Sequence, residues 1–291
     1  MKDKKEKNES QGTEEKEKIS PGKRKSSPLY TIGILICIAV IIFAAWKLIS
    51  IYLTYKEGTD EYDELRQYAT ETVDSSSDSS DSSESVKSIS YNGREETEDF
   101  RTSEDPPVDV DWDSLKAINE DIVGWLYIEG VDISYPIVQG SDDDYYLHRT
   151  FEKKDNFAGS IFMEYKNTST FTDPNTIIYG HNMKNGSMFG NLKHIASDKT
   201  YEDHPWFWIL TPDGNYRYRM FSIRTAAVDD ETYTLFMGTD QSFVDWCNEM
   251  YEESDVSLQK PDFSLDSKIV TLSTCTTDSD HRFVVQGVAV K

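Results

Sequence analysis

Residues 29–46, LYTIGILICIAVIIFAAW, run for 18 positions without a charge, and LISIY prolongs the stretch beyond Lys47. A helix of about 20 apolar residues spans the hydrocarbon core of a bilayer, and a lysine near its end can reach the interface along its own methylenes. A cleaved secretory leader would have a shorter apolar centre followed by small residues at the cut. Here Trp46, Lys47 and further bulky apolar side chains follow. The run therefore reads as one retained membrane helix, residues 29–51, and the chain on either side must be divided by compartment.

Residues 1–28 carry nine Lys or Arg, with Lys23, Arg24 and Lys25 next to the span, whereas Glu57, Asp60 and Glu61 follow it. Positive charge stays on the cytoplasmic side, so residues 1–28 are expected to be a disordered cytoplasmic tail and everything beyond the span to lie outside the cell. Residues 52–107 read as a short helical stalk, TDEYDELRQYATET, and a linker. Its segment 74–90 holds ten Ser and four Asp or Glu and has almost nothing to bury, which predicts an extended, disordered linker. A formal charge of −23 leaves no basic surface for a phosphate backbone, so nucleic acid is excluded as a partner.

From Val108 to Lys291 aromatic and β-branched residues become frequent enough for one core. In DWDSLKAINEDIVGWL, Leu115, Ile118 and Ile122 recur at helical spacing, with Asp113 as the expected N-cap and Gly124 as the stop. Asp109, Asp111, Asp113 and Glu120 mimic part of a calcium loop, but Ser114 stands where that loop needs glycine. Eight short β-type runs follow: GWLYIEG, DISYPIVQ, AGSIFME, NTIIYGH, WFWILTP, NYRYRMFSIRTAAV, KIVTLSTC and RFVVQGVAV. Asp213-Gly214 marks a hairpin between two of them. Eight runs at short spacing, without alternating long helices, predict a mainly β fold with a closed eight-stranded barrel. One helix, DQSFVDWCNEMYEES, is inserted before the penultimate strand, with Phe243, Trp246, Cys247 and Met250 on one face. Cys247 then reads as a small buried apolar residue.

Cys275 ends the strand KIVTLSTC, a six-residue loop follows, and RFVVQGVAV returns. An antiparallel hairpin brings Arg282 back beside Cys275. A guanidinium there favours thiolate and can donate to an oxyanion. The sulfur still needs a proton partner. Of the five histidines, His181 caps TIIYG as Cys275 caps its own strand, so the two share one rim if those strands run parallel. His281, next to Arg282 in the loop, is the rival by proximity.

TLSTC followed by Arg282, with IIYGHN upstream, resembles the signature of sortases, membrane-anchored cysteine transpeptidases of Gram-positive bacteria. The likeness runs from about Val110 to Lys291. GWLYIEGVDISYPIVQ, DDDYYLHRTF, GSIFMEY and IIYGHNMKNGSMFGNL are similar to class B members, as are the helical lead-in and the inserted helix. An acidic residue that some class B members carry soon after the cysteine is displaced here to Asp278. The resemblance implies that Cys275 attacks a threonine carbonyl in the sorting motif of a surface protein and forms a thioacyl intermediate. His181 would protonate the departing amine and Arg282 would stabilise the oxyanion or orient the substrate. Transfer to an amine of the cell-wall precursor would complete the reaction. Ser273 and Thr274 are expected to bind substrate close to the sulfur, with further groove walls from the inserted helix. No cofactor and no metal is expected. A pilin-polymerising sortase that uses a pilin lysine, or a non-catalytic membrane-tethered adhesion barrel, stays open as an alternative.

Overall fold

A computed structural model describes residues 28–72, 100–276 and 279–290; the Ser-rich linker segment 74–90 and Asp278 lie outside these. The chain divides into two units at Ser50/Ile51. In the first, helix α1 (Pro28–Leu65) carries a stretch from Ile32 long and apolar enough to cross a membrane, its side chains exposed.

The second unit takes in the end of α1, a 3-10 turn (Arg66–Tyr68), strands β1 (Ala69–Glu71) and β2 (Val108–Val110), and helix α2 (Trp112–Ile118). Then come β3 (Ile122–Ile128), β4 (Ile133–Val138), β5 (Ile161–Met163), β6 (Asn175–Gly180), α3 (His194–Ser197), α4 (Thr200–Asp203), β7 (Trp206–Thr211) and β8 (Gly214–Ala227). A 3-10 turn (Glu231–Tyr233), helix α5 (Gln241–Glu252), β9 (Ile269–Cys275) and β10 (His281–Val290) complete it. Strands β3 to β10 are the eight runs expected from the sequence. They close into a barrel in the order β10-β8-β7-β3-β4-β5-β6-β9. Two neighbouring pairs are parallel, β4 with β5 and β6 with β9. The β7–β8 hairpin turns at Pro212-Asp213, with Thr211 opposite Gly214. Gly214 has φ +151°, which favours glycine there.

Trp125, Leu126, Ile128, Ile137, Ile178, Phe207, Tyr218, Leu272 and Val285 are among the residues that form the main core. A second cluster covers the outside of β8, β9 and β10, where Phe243, Trp246, Cys247 and Met250 of α5 meet Phe221, Ile269 and Val288. Both faces of β9 are therefore buried, which explains its nearly continuous apolar and hydroxyl composition. Cys247 is fully buried, and burial pushes its thiol up to about 12.

The helix at the domain entrance differs from the sequence expectation. Asp111, not Asp113, is the N-cap, its carboxylate accepting from Ser114 N at 3.0 Å. The helix stops at Ile118, because Ile122 already belongs to β3. Gly124, expected as a helix stop, lies in that strand where its pairing with β4 shifts register. The 3.6-residue spacing of Leu115, Ile118 and Ile122 joined two elements, of which Leu115 and Ile122 are buried and Ile118 is exposed.

Residues 59–72, which the sequence presents as a charged stalk, are packed into the second unit, as is the helix segment from Thr54 just before them. Tyr62 and Leu65 are 3% and 2% exposed, and Tyr62 Oη donates to Gly159 O at 2.9 Å and receives a bond from Phe151 N. Glu61 accepts from Glu152 N, and Asn156 Nδ2 donates to Thr54 O. Burying the two large side chains contributes roughly 1.5–3 kcal/mol each. A chain shortened to start at residue 100 is accordingly expected to melt several degrees below one that starts at residue 51, in a thermal unfolding scan.

Candidate active site

Strand β6 ends at Gly180, where a Cβ would fall 2.5 Å from Ile161 Cδ1 and 2.8 Å from the Phe189 ring, so that glycine is needed. The next residue, His181, is held by its own backbone: its carbonyl accepts from Met183 N at 3.1 Å and from Phe189 N at 3.0 Å. Beside β6 runs β9 in parallel register, Tyr179 opposite Ser273 and Gly180 opposite Thr274. One residue further along each chain stand His181 and Cys275. On the other side of β9, Arg282 pairs directly with Cys275 across the β9–β10 hairpin. The backbone thus places the three residues singled out from the sequence at one end of the barrel.

The imidazole is half-buried. Its Nε2 lies 2.8 Å from Leu147 O. A carbonyl only accepts, so Nε2 carries the proton, and in the neutral ring Nδ1 is the basic lone pair. The loop that offers this carbonyl is rigid: Asp142 Oδ1 accepts from Asp144 N and Tyr145 N, Ser160 N donates to Tyr146 O, and Asn156 N donates to His148 O. The ring of His148 stacks 6.5 Å from that of His181. Burial holds the His181 pKa below its ordinary value; the Leu147 bond opposes this and the His148 charge adds to it.

Arg282 Nη1 donates to Ser279 O at 2.8 Å and His281 O at 2.9 Å, which ties the guanidinium to its own loop. His281 is exposed and opens β10 opposite Ala227 instead of standing in the loop. Ser273 and Thr274, 2% and 3% exposed, share a groove of about 390 Å³ with Asp143, Leu147, Phe162, Tyr179, Gly180, His181 and Arg282. Ser273 Oγ is 2.9 Å from Tyr233 Oη. Burial pushes the Tyr233 phenol up, and the Arg282 charge partly offsets this. On the far wall Tyr179 Oη donates to Glu164 Oε2 at 3.1 Å, and burial together with the Asp143 carboxyl raises the Glu164 pKa.

The family model for the sortase domain matches residues 126–290, more than half of the chain. The chain belongs to the class B sortases. It is 31% identical over 259 residues to sortase B of Listeria monocytogenes, covering 88% of this chain and 94% of that protein. Sortase B of Staphylococcus aureus is 26% identical over 266 residues, 90% of this chain and 97% of that one. Among solved structures, Bacillus anthracis sortase B in complex with AAEK1 superposes with a TM-score of 0.64 at 28% identity, covering 83% of this chain and all of that one. A substrate complex of the Staphylococcus aureus enzyme gives 0.58 at 30% identity, covering 62% of this chain and 84% of that one.

Membership makes this sortase a transpeptidase that acts on surface-protein substrates. Among the described residues, those that line this groove come from the 143–147 loop, β5, β6, β9 and β10. Helix α5 works from behind, its Trp246 Nε1 donating to Glu231 O at 2.8 Å and so bracing the turn that carries Tyr233. Removing it would open the second hydrophobic cluster and cost stability. Sequence reasoning missed Leu147, His148 and Tyr233. Each lies in a loop whose distance to β6 or β9 only the closed barrel fixes.

Proposed function

We propose that this sortase cleaves a C-terminal sorting motif through a thioacyl link to Cys275 and passes the acyl group to an amine of the cell-wall precursor. The observation that carries this reading is the pair of registers that sets Cys275 between His181 and Arg282. In the first half-reaction Cys275 Sγ attacks the threonine carbonyl carbon. Its proton goes to His181 Nδ1 and on to the departing amine as the C–N bond breaks. In the second half-reaction the acceptor amine attacks the thioacyl carbon, gives its proton to Nδ1, and the C–S bond breaks to restore the thiol. Arg282 donates to the oxyanion in both, and Ser273 and Thr274 bind the motif beside the sulfur. That a substrate complex of the similar Staphylococcus aureus enzyme exists is consistent with a substrate-binding role for this fold.

The apolar helix anchors the enzyme, with the basic tail in the cytoplasm and the barrel outside. Incubating the full chain with a library of sorting-motif peptides and a wall-peptide amine is expected to give a covalent adduct whose mass maps to Cys275, followed by peptide–amine product. Release of hydrolysed peptide without an adduct, or transfer to a pilin lysine in preference to the wall amine, would count against the reading.

A further inference from the structure

Asn175, the first residue of β6, is 1% exposed and has every polar atom of its carboxamide engaged. Its Nδ2 donates to Thr232 O at 3.1 Å and to Thr234 O at 3.0 Å, and its Oδ1 accepts from Thr271 Oγ1 at 2.8 Å. The orientation of the amide is fixed by its partners, because two carbonyls can only accept. Thr271 Oγ1 in turn accepts from Gln286 Nε2 at 3.1 Å. One buried side chain therefore joins β6 and β9, which end at the active site, and β10, which starts there, to the 3-10 turn between β8 and α5.

The two carbonyls that Asn175 holds flank a single residue, Tyr233, and it is Tyr233 that reaches Ser273 in the groove. The contacts form a closed ring: Asn175 to Thr271, along β9 to Ser273, across to Tyr233, and back through Thr232 and Thr234 to Asn175. The turn is fastened from behind as well, by Trp246 to Glu231 O and by Arg224 Nη2 to Thr232 Oγ1. Those bonds fix where the turn lies, as do Tyr233 N to Asp230 O and Thr234 N to Glu231 O within it; the Asn175 pair ties the carbonyls of Thr232 and Thr234, the residues on either side of Tyr233, to β6. We infer that Asn175 is a positioning residue, which sets the Tyr233 side chain against β9 and so holds Ser273, a wall of the groove where the peptide binds beside Cys275. The inference rests on the proposed thioacyl chemistry for its choice of substrate and deepens it.

The test separates peptide binding from sulfur chemistry. Asn175→Ala in the full chain is expected to raise KM for a sorting-motif peptide about tenfold or more, with kcat changed less than about threefold. The rate at which iodoacetamide alkylates Cys275 should stay within about twofold of wild type, since the reagent needs the thiol and not the groove. Tyr233→Phe should raise KM in the same direction. The double variant should be no worse than the worse single one, because both changes break the same ring. If Asn175→Ala does not accumulate folded, Thr271→Val, which keeps shape and removes only the anchoring hydroxyl, is expected to give the same split between KM and kcat. Unchanged KM in a folded Asn175→Ala enzyme, additive effects in the double variant, or alkylation slowed in proportion to turnover would overturn the inference. Turnover that survives Cys275→Ala would strike instead at the reading of the nucleophile.

Discussion

Cys275→Ala is expected to abolish both the covalent adduct and peptide transfer, a loss on the order of 10⁶ in kcat, as when a nucleophile is removed from a unit that works jointly with its base. The sequence holds two other cysteines, and neither can stand in. Cys37 lies in the apolar helix outside the barrel's unit, and Cys247 is fully buried behind β9 with its thiol pushed up to about 12. A thiol with an ordinary pKa near 8.5 is a few per cent ionised at neutral pH, whereas one at about 12 is ionised roughly three thousandfold less. Cys275→Ser should be nearly as inactive, because a neutral imidazole is too weak a base for a hydroxyl held without further help. Intact-protein mass after incubation with peptide provides the measurement. A stable acyl adduct on the alanine variant would mean that another residue is the nucleophile.

How much of this site could be read in advance depends on how local each contact is. Cys275 and Arg282 are neighbours through a six-residue loop, and an antiparallel hairpin admits few other arrangements. The eight strands were legible because their β-branched and aromatic runs are short and separated by Gly, Asp and Pro turns. The position of His181 needed a further condition, that β6 and β9 be parallel neighbours though about 90 residues separate them. Strand-end placement suggested this, and closure of the barrel supplies it. Leu147 O, the His148 ring and Tyr233 were not legible at all. They belong to loops whose residues carry no periodicity, and their distances to the site follow from how the 142–160 and 228–240 segments fold back on the barrel. The same limit explains α5. Its apolar face was plain in the sequence, but whether that face lined a groove or braced a turn depended on Trp246 finding Glu231 O.

His181→Ala is expected to slow thioacylation about 10²- to 10⁴-fold, the range for a positioned proton carrier, and the pH profile gives the substitution a sharper signature than the rate alone. Burial lowers the His181 pKa from its ordinary 6.5, and the bond to Leu147 O only partly opposes this. The ring is therefore neutral at pH 7, with Nε2–H on the carbonyl and Nδ1 open to take the sulfur's proton. As pH falls through the lowered pKa, solvent protonates Nδ1 and the route from Cys275 closes. The acid limb of kcat/KM should thus have its midpoint below pH 6.5, and the residual activity of His181→Ala should lack it. His148→Ala removes a like charge stacked 6.5 Å away and should move the limb upward. A wild-type limb above pH 6.5 would mean that the catalytic imidazole sits in a less buried, more anionic setting than Leu147 and His148 provide. His281, exposed at the start of β10, would then become the candidate, and His281→Ala rather than His181→Ala would erase the limb.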